Sequence, residues 1–300
     1  MVMNPLSRRT RLSMLLGLIA LFFIILPVII LYASGWRWQS GVGLVRTGGI
    51  SVTVPYEDAL ISLDGRHIGT SRFLNRQFYM DDLIPGAYEV RVEKENYQPW
   101  VHTLIVEPQI VSDARAFLIP TSIQLLRILV ETSTPSTGST DSPQTGSLQA
   151  NSGQAATTTR SVDSRTYNSY LETFGRPFAT TTGGAYDISG DEGIFLEKGN
   201  IYVRWLNENA SPTSNFCGRP SYCGREFAIE EGRDTATSAL YFAGGVVYRT
   251  KESGIFIRES TILPAAVSAP IYMRRGADFR ILDGNLIVKD GRNLYQVIGL

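Results

Sequence analysis

Residues 14–33 read MLLGLIALFFIILPVIILYA, an apolar run without a charged residue. An α-helix needs about 20 predominantly apolar residues to cross the hydrocarbon core of a bilayer. Pro27 lies inside the run, and membrane helices tolerate proline where other groups satisfy the freed backbone. The sequence therefore predicts a transmembrane helix over residues 14–35 and places the rest of the chain at a membrane.

The residues on either side of the run predict its orientation. Three arginines precede it, whereas Arg37 and Arg46 are the first basic residues after it. Because cytoplasmic flanks carry the excess of Lys and Arg, residues 1–13 are predicted to form a short cytoplasmic tail, with the bulk of the chain extracytoplasmic. The predicted membrane-interface residues are this basic cluster and the aromatic residues expected in the headgroup layer: Arg8, Arg9, Arg11, Tyr32, Trp36 and Trp38.

A cleaved signal peptide is the alternative interpretation of the same run. The apolar region of a signal peptide usually spans about 7–15 residues and ends at small residues. Here the run is longer, and Ala33-Ser34-Gly35 offers only a weak cleavage site. We therefore expect a retained anchor whose partner is the lipid bilayer.

Composition limits the class of the protein. Lys and Arg together number 28, as do Asp and Glu, so no net charge points to nucleic acid as a partner. The chain has 14 Tyr, 13 Phe and 28 Gly and lacks long helical periodicity, which favours short strands joined by turns. The predicted fold is mainly β, with room for about two domains after the anchor.

Residues 46–120 show the alternation of apolar and polar residues that half-buried strands produce. ISVTV (50–54) and YEVRV (88–92) each place apolar side chains on one face. Asp64-Gly65 favours a tight hairpin turn, since both residues tolerate positive φ. In Pro85-Gly86 the proline presets φ, and the glycine is expected to be left-handed. This region is predicted to fold as a small antiparallel β-sandwich.

Five segments of the region occur in a characteristic order: GGISVTVP (48–55), ALISLDG (59–65), GT (69–70), LIPGAYEV (83–90) and NYQPW (96–100). Together they resemble the PEGA domain, a small surface-exposed β-sandwich module of prokaryotic envelope proteins that is often carried on a membrane anchor. The resemblance implies an interaction or spacer module, because the motif residues of the family form turns. The matching positions are Pro55, Asp64, Gly65, Gly69, Pro85, Gly86, Asn96 and Tyr97.

The chain departs from the family pattern at three turns. The Pro-Glu-Gly-Ala tetrad appears as Pro55-Tyr56-Glu57-Asp58-Ala59, Asn96 stands in place of a Gly, and Ser71 in place of a Pro. Asp and Asn are the residues that best replace glycine at left-handed corners. We therefore expect differences in loop shape and the same fold.

The composition changes after Arg127. Residues 131–166 are rich in Ser, Thr, Gly, Gln and Pro and nearly empty of large apolar groups, so they cannot bury enough surface to offset the entropy of ordering. We predict a disordered Ser/Thr-rich linker, open to O-glycosylation, with a span on the order of 30–36 Å. Such a linker would let the C-terminal body move relative to the sandwich.

Residues 167–300 are predicted to form a second β-rich domain with a loose internal repeat. Segments 193–205, 239–249 and 279–288 each have the pattern of a strand, a Gly-centred turn and a strand. Their spacing of about 40–46 residues is that of a propeller blade, but three units are fewer than the usual minimum of about four. We expect a partial propeller-like or stacked-hairpin domain, with a closed ring only if another chain completes it.

Cys217 and Cys223 are the only cysteines of the chain. Two nearby cysteines outside the cytoplasm are most simply a disulfide that closes a small loop and rigidifies it. Free or redox-active thiols are one alternative. Zinc is another, but it needs two further ligands, and neither His67 nor His102 is near in sequence.

The remaining candidates for chemistry are interpreted as structural. Adjacent carboxylates on a strand point to opposite faces, so Asp81-Asp82 is predicted to form a solvated turn. His67 and His102 are each expected to be exposed or packed without a catalytic role. Tyr97 and Trp100 are predicted to fill the core, with an aromatic sugar platform as the alternative.

The sequence favours a non-enzymatic, single-pass envelope protein that presents extracytoplasmic β domains to a protein or cell-wall glycan partner. No cofactor or metal is predicted, and no phosphate-binding, dinucleotide or nucleophile motif occurs. Two alternatives remain. One is a passive structural spacer, and the other is a membrane-tethered hydrolase that pairs Asp191 with Glu226 or Glu230 in residues 167–300.

Overall fold

A computed structural model describes residues 8–39, 41, 43–131, 159–178, 180, 184–230 and 235–300. Its first element is helix α1 (Arg8–Ala33), with a mean hydropathy of 3.2 over its most apolar window. In the described part of the chain this helix alone is long and apolar enough to cross a membrane, a test that N-terminal signal sequences also pass. The predicted helix is confirmed, and it begins earlier than expected, at Arg8.

A small hairpin of β1 (Trp36–Gln39) and β2 (Gly43–Arg46) leads from the helix into a β-sandwich. The sandwich strands are β3 (Gly48–Thr53), β4 (Leu60–Leu63), β5 (Arg66–Thr70), β6 (Gln77–Leu83), β7 (Gly86–Glu93), β8 (Trp100–Val106) and β9 (Val111–Arg115). They form two sheets, ordered β6-β3-β9 and β5-β4-β7-β8.

The sandwich is antiparallel except at one pair. Strands β3 and β9 are parallel, which their sequence separation permits because β4 to β8 lie between them in the chain. Side chains of the two sheets meet in a core in which Ile50, Ile61, Val92 and Trp100 have no exposed surface.

Turn chemistry follows the sequence at most corners. Asp64 and Gly65 are both left-handed, with φ of 46° and 75°, and Asp58 and Asn96 also have positive φ. These residues tolerate the conformation better than other side chains do. The hairpin predicted at Asp64-Gly65 is therefore confirmed, with Leu63 paired to Arg66.

Two turn predictions in the sandwich are wrong. Gly86 does not have positive φ; it already belongs to strand β7. Asp81-Asp82 lies inside β6, at a bulge where the register with β3 shifts between Gly48 and Ile50. Asp82 takes the left-handed conformation there, with φ of 55°, because the extra residue of a bulge must bend the strand.

Two further segments join the sandwich to the end of the chain. Strand β10 (Gln124–Val130) pairs antiparallel with the last strand, β24 (Asn293–Ile298), and parallel with β11 (Thr159–Val162). Helix α2 (Ser164–Gly175) follows, with Asp163 as the N-cap that accepts from Thr166 N. Residues 132–158 of the predicted linker lie outside the described residues. The predicted C-terminal end of the linker is wrong, since Thr159–Val162 form β11 and helix α2 begins at Ser164.

The C-terminal body consists of three sheets. Their further strands are β12 (Asp187–Ser189), β13 (Glu192–Glu197), β14 (Asn200–Trp205), β17 (Glu226–Glu230), β18 (Ala236–Phe242), β19 (Gly245–Thr250), β20 (Ile255–Glu259), β21 (Ser268–Tyr272), β22 (Asp278–Leu282) and β23 (Asn285–Asp290). The sheet orders are β12-β13-β14-β17, β18-β19-β20-β21 and β11-β10-β24-β23-β22. A short 3-10 helix (Ser214–Phe216) and the two small strands β15 (Cys217–Arg219) and β16 (Tyr222–Cys223) lie between β14 and β17.

The three predicted repeat units are the hairpins β13–β14, β18–β19 and β22–β23. Each closes through two left-handed residues, namely Lys198-Gly199, Ala243-Gly244 and Asp283-Gly284. Two positive φ values in succession match the right-handed twist of the flanking strands. The described strands form stacked sheets and close into neither a barrel nor a propeller.

One apolar core runs through both bodies. Val52 and Trp100 of the sandwich belong to the same cluster of buried side chains as Val247, Ile257 and Phe279 of the C-terminal body. The two bodies are therefore in direct contact in the described part of the chain. We call the sandwich and the three sheets together the head.

Candidate functional site

The disulfide predicted between Cys217 and Cys223 is formed. It joins facing residues of β15 and β16, so both sulfurs are used and the free-thiol and zinc interpretations are wrong. Glu107, which follows β8 in the sandwich, accepts hydrogen bonds from Ser221 N and Oγ at 3.0 and 2.9 Å. The loop of the C-terminal body is thereby docked on the sandwich.

A groove of about 200 Å³ lies between this loop and the sandwich edge strands β8 and β9; we call it the disulfide groove. Each of the two sandwich sheets ends in one of these strands. The sides of the groove are mostly apolar, and its polar lining includes one acidic and one basic side chain. The lining residues are Leu104, Ile105, Val111, Ser112, Asp113, Ser214, Cys217, Gly218, Arg219, Pro220 and Leu263.

The disulfide groove combines an apolar lining with a few polar side chains. The hydroxyl of Ser112 donates to the carbonyl of Ile105, and the lining includes no His and no second carboxylate beside Asp113. General acid–base catalysis needs a titratable group within reach of a reacting atom and matched to its task. The described lining offers apolar contacts with charges of both signs, Asp113 and Arg219.

The sandwich and the C-terminal body also meet at a buried polar cluster, here called the junction cluster. Trp100 Nε1 donates to Glu259 Oε1 at 2.8 Å, and His102 Nε2 lies 2.9 Å from Glu259 Oε2. Val267 N donates to the same Oε2 at 3.0 Å. All three side chains of the cluster have less than a tenth of their surface exposed.

The ring of His102 reaches a second group of the C-terminal body. Its Nδ1 lies 3.1 Å from the carbonyl oxygen of Pro264, so both ring nitrogens are within hydrogen-bond distance of an oxygen atom of that body. The cluster therefore ties the sandwich to the C-terminal body. No local signal in the sequence marks it, because His102 and Glu259 lie 157 residues apart.

The junction between helix and sandwich, here called the anchor elbow, is held by hydrogen bonds to backbone carbonyls of Ser34, Gly35 and Thr47. Gly35 ends the helix in a left-handed conformation with φ of 79°, as glycine commonly does at helix ends. Its carbonyl accepts from Thr47 N at 3.0 Å. Gln109 Nε2 donates to the Ser34 carbonyl at 2.7 Å, and Gln109 N donates to the Thr47 carbonyl at 2.8 Å. These hydrogen bonds join the end of the helix directly to the sandwich.

Charged and aromatic side chains support the anchor elbow. The Arg37 guanidinium lies 3.8 Å from the centroid of the Tyr32 ring. Its Nε is 2.7 Å from Asp82 Oδ1, close enough for an ion pair although the alignment makes no hydrogen bond. On the adjoining hairpin, Trp38 is 79% exposed and faces the exposed Leu44 across the strands.

The other predicted interface residues flank the same helix. Arg8, Arg9 and Arg11 lie on its first turns with exposed side chains. Trp36 is half-buried below the guanidinium of Arg46, at 4.9 Å from the ring centroid. The aromatic residues therefore surround the C-terminal end of α1.

The carboxylates proposed for a hydrolase are engaged separately. Glu226 forms an ion pair with Arg204, and Asp191 accepts a long hydrogen bond of 3.4 Å from Asn207. Glu230 lies at the end of β17. No described contact joins Asp191 to Glu226, and the Glu230 side chain lies outside the described part of the structure, so the pairing of Asp191 with Glu230 stays an untested alternative.

A different carboxylate has a perturbed environment. Burial raises the pKa of Glu192, and a hydrogen bond from Thr213 Oγ1 at 2.8 Å lowers it by less. Burial, with Glu192 and Asp187 nearby, raises the pKa of Tyr241, whose buried hydroxyl has no partner among the described residues. The sequence around Glu192 and Tyr241 has the pattern of ordinary strands, so it gave no reason to expect buried polar groups there.

The motif residues carried over from the resemblance serve structure. Gly69 packs below the Phe78 ring, where an added Cβ would come within 2.9 Å of a ring carbon. Tyr97 is half-buried, with its ring centroid 5.8 Å from that of Tyr56. Trp100 fills the core as predicted, so the sugar-platform alternative is wrong for this residue.

The chain matches no protein-family model, and it matches no curated protein. The resemblance to PEGA domains stays a prediction from the sequence.

Proposed function

We propose that this protein is a non-enzymatic, single-pass membrane protein of the cell envelope, whose retained anchor holds one rigid β head outside the cytoplasm. The anchor elbow supports this proposal, because backbone hydrogen bonds join the helix end directly to the sandwich. The exposed Trp38 and Leu44 beside the helix end support a position in the headgroup layer. The three N-terminal arginines support a cytoplasmic N-terminus.

The head acts by binding a protein partner in the disulfide groove. The observation that carries this function is the groove itself, braced by a disulfide on one side and by two sheet edges on the other. Its volume of about 200 Å³ is below the roughly 300–1,000 Å³ of small-molecule pockets. Pockets of this kind receive single anchoring side chains of a protein interface.

The partner segment is expected to place an apolar side chain into the groove with charges beside it. Asp113 and Arg219 would meet a basic and an acidic residue of that segment, and such complementarity fixes register and suppresses wrong partners. A cell-wall glycan offers no large apolar side chain for the groove, so it is the less favoured partner.

Site-specific photo-cross-linking in intact cells tests this function. A photoreactive phenylalanine at Val111, which is 41% exposed at the groove, should give a discrete cross-linked protein band. The control is the same probe at Met273, which is 63% exposed and lies outside the groove. Leu263→Glu should remove the band from the Val111 probe.

Two results would contradict the proposal. Equal bands from Val111 and Met273 would show non-specific proximity. Retention of the purified protein on isolated cell-wall sacculi, unchanged by Leu263→Glu, would instead favour a glycan partner at another surface. Protease added to intact cells tests the topology separately, since a cleavage site engineered into residues 132–158 should be cut from outside.

A further inference from the structure

A second cavity lies where the end of helix α2 meets the second and third sheets. This cavity, the arginine cleft, has a volume of about 550 Å³ and contains no residue of the disulfide groove. Its polar lining includes Arg176, Arg249, Asp278 and Arg280. The volume lies within the range of small-molecule sites.

The charges of the arginine cleft are unbalanced. Asp278 is the only carboxylate among its described lining residues, against three guanidinium groups. Asp278 Oδ1 accepts from Arg249 Nη1 and Oδ2 accepts from Arg280 Nη1, both at 3.0 Å. One carboxylate is thus shared by two arginines while the Arg176 side chain is exposed to solvent, so the cleft favours an added anion.

The arginines are held in place before any ligand arrives. Arg280 lies 3.6 Å from the centroid of the Phe178 ring, and its Nη2 donates to the Arg176 carbonyl at 2.9 Å. Arg249 Nε donates to Thr237 Oγ1 at 2.8 Å. Fixing these rotamers in advance removes an entropy cost that binding would otherwise carry.

The environment of Arg280 also favours an anion. Burial lowers its pKa, Asp278 raises it by its charge and hydrogen bond, and the nearby Arg249 lowers it again. Burial is the largest of these causes, so Asp278 does not fully offset the cost of desolvating the guanidinium. A second carboxylate beside Arg249 and Arg280 would stabilise the charged form further.

We propose that the arginine cleft binds a carboxylate-bearing ligand of the size of a sugar acid or a dipeptide. Arg249 uses Nε and Nη1 in its described bonds, so Nη2 is left to donate to the ligand carboxylate. Phe174, Phe178 and Tyr186 give the rest of the ligand an apolar wall. The site is independent of the disulfide groove and of its proposed partner.

Calorimetric titration of the full-length protein in detergent tests this site with matched pairs of probes. One pair is glucuronate and glucose, and the other is acetyl-dialanine and its C-terminal amide. The carboxylate member of at least one pair should bind at least tenfold more tightly than its uncharged partner. The pair that binds distinguishes a sugar acid from a peptide carboxylate.

Variants separate the site from general charge. Arg249→Gln should weaken the binding at least tenfold. Arg249→Lys should also weaken it although the charge remains, because a single ammonium group cannot keep the contacts with Thr237 and Asp278 and also reach the ligand. Arg275→Gln is the control, since Arg275 is 71% exposed and pairs with Glu252 elsewhere. Unchanged thermal unfolding of each variant would show that the fold is retained.

Three outcomes would overturn the proposal. The first is absence of binding by both carboxylates. The second is inorganic phosphate binding as tightly as the carboxylates at equal ionic strength, which would reduce the cleft to an unselective anion site. The third is binding that Arg249→Gln leaves unchanged while Arg275→Gln weakens it.

Discussion

The anchor elbow and the junction cluster connect the sandwich to its neighbours through different kinds of contact. At the anchor elbow the contacts are backbone hydrogen bonds and an ion pair of which Arg37 is 24% and Asp82 48% exposed. At the junction cluster the partners Trp100, His102 and Glu259 are buried within a shared apolar core. Exposed ion pairs contribute about 0–1 kcal/mol each, whereas each buried polar group left without its hydrogen-bond partner costs about 1–3 kcal/mol.

The difference assigns separate roles to the two junctions. The junction cluster makes the sandwich and the three sheets one unit, which presents the disulfide groove with a fixed shape. The anchor elbow sets the direction of that unit relative to the helix, and it is the weaker joint. We therefore expect movement of the head at the elbow and not between the two β bodies.

The largest expected effect comes from Glu259→Ala. This change leaves the Trp100 indole and the His102 ring without their buried partner, so the free energy of unfolding should fall by about 2–6 kcal/mol, at about 1–3 kcal/mol for each unsatisfied group. Urea unfolding of the purified protein in detergent measures it. Glu252→Ala is the control, because Glu252 is half-exposed and pairs with the exposed Arg275. Equal losses for the two variants would remove the contrast between the junctions.

The sequence predicted the elements whose signals are local. The apolar run of 14–33, the turn at Asp64-Gly65 and the three Gly-centred hairpins of the C-terminal body are all present. In each case the residues that decide the conformation are adjacent in the chain. The Cys217–Cys223 bridge belongs to the same class, since its partners are six residues apart.

The sequence did not predict the contacts that join distant segments. Strand β10 pairs with β24 across the whole C-terminal body, and Trp100 reaches Glu259 over 159 residues. The composition of residues 131–166 predicted a linker over the whole segment. Thr159–Val162 nevertheless form a strand, because they pair with the edge of the distant strand β10. The arginine cleft was missed for the same reason, since Arg176, Arg249 and Arg280 come together only in the fold.

The second prediction concerns the brace between the two bodies outside their core. Replacing both Cys217 and Cys223 by serine opens the small loop, and chain entropy then lowers the free energy of unfolding by about 2 kcal/mol. Urea unfolding measures the change, with the wild-type protein under reducing conditions as the matched comparison. If the free energy of unfolding falls as much as in Glu259→Ala, the disulfide loop stabilises the head as strongly as the junction cluster does.

The third prediction tests the weaker joint. Asp82→Asn removes the ion pair with Arg37, which should lower local stability by about 0.5 kcal/mol. Backbone amides of residues 35–47 should then exchange hydrogen about two- to threefold faster, while those of the sandwich core are unchanged. Mass spectrometry after deuterium exchange measures both.

The neighbouring carboxylate provides the control for the elbow. Asp81, Asp82 and Arg37 line a polar cavity of about 230 Å³ at the elbow. Asp81 forms no described ion pair, so Asp81→Asn should leave the exchange of residues 35–47 unchanged. Faster exchange throughout the sandwich in Asp82→Asn would show that the elbow and the core are a single cooperative unit.

The smallest effect is expected at the segment that carries the disulfide loop, where Thr213 donates to Glu192 of the first sheet. Burial raises the pKa of Glu192 above its unfolded value, so the native state holds this proton more tightly than the unfolded chain does. The resulting stability is complete below the unfolded pKa, near 4.3, and is lost as the pH rises through the folded value.

Glu192→Gln removes that titration and keeps a hydrogen-bond acceptor for Thr213. At neutral pH the free energy of unfolding of the variant should exceed that of the wild type by a few tenths of a kcal/mol. The effect is small because the side chain is partly exposed and solvent weakens it. Urea midpoints at pH 4, 5, 6 and 7 should show a difference that grows with pH. Glu197→Gln on the same strand should lower stability slightly, since Glu197 pairs with Arg204 at 2.6 Å. If the stability difference between Glu192→Gln and the wild type narrows as the pH rises, the fold stabilises Glu192 as the anion. The bond from Thr213 would then be a charge-assisted contact that holds the loop segment to the first sheet.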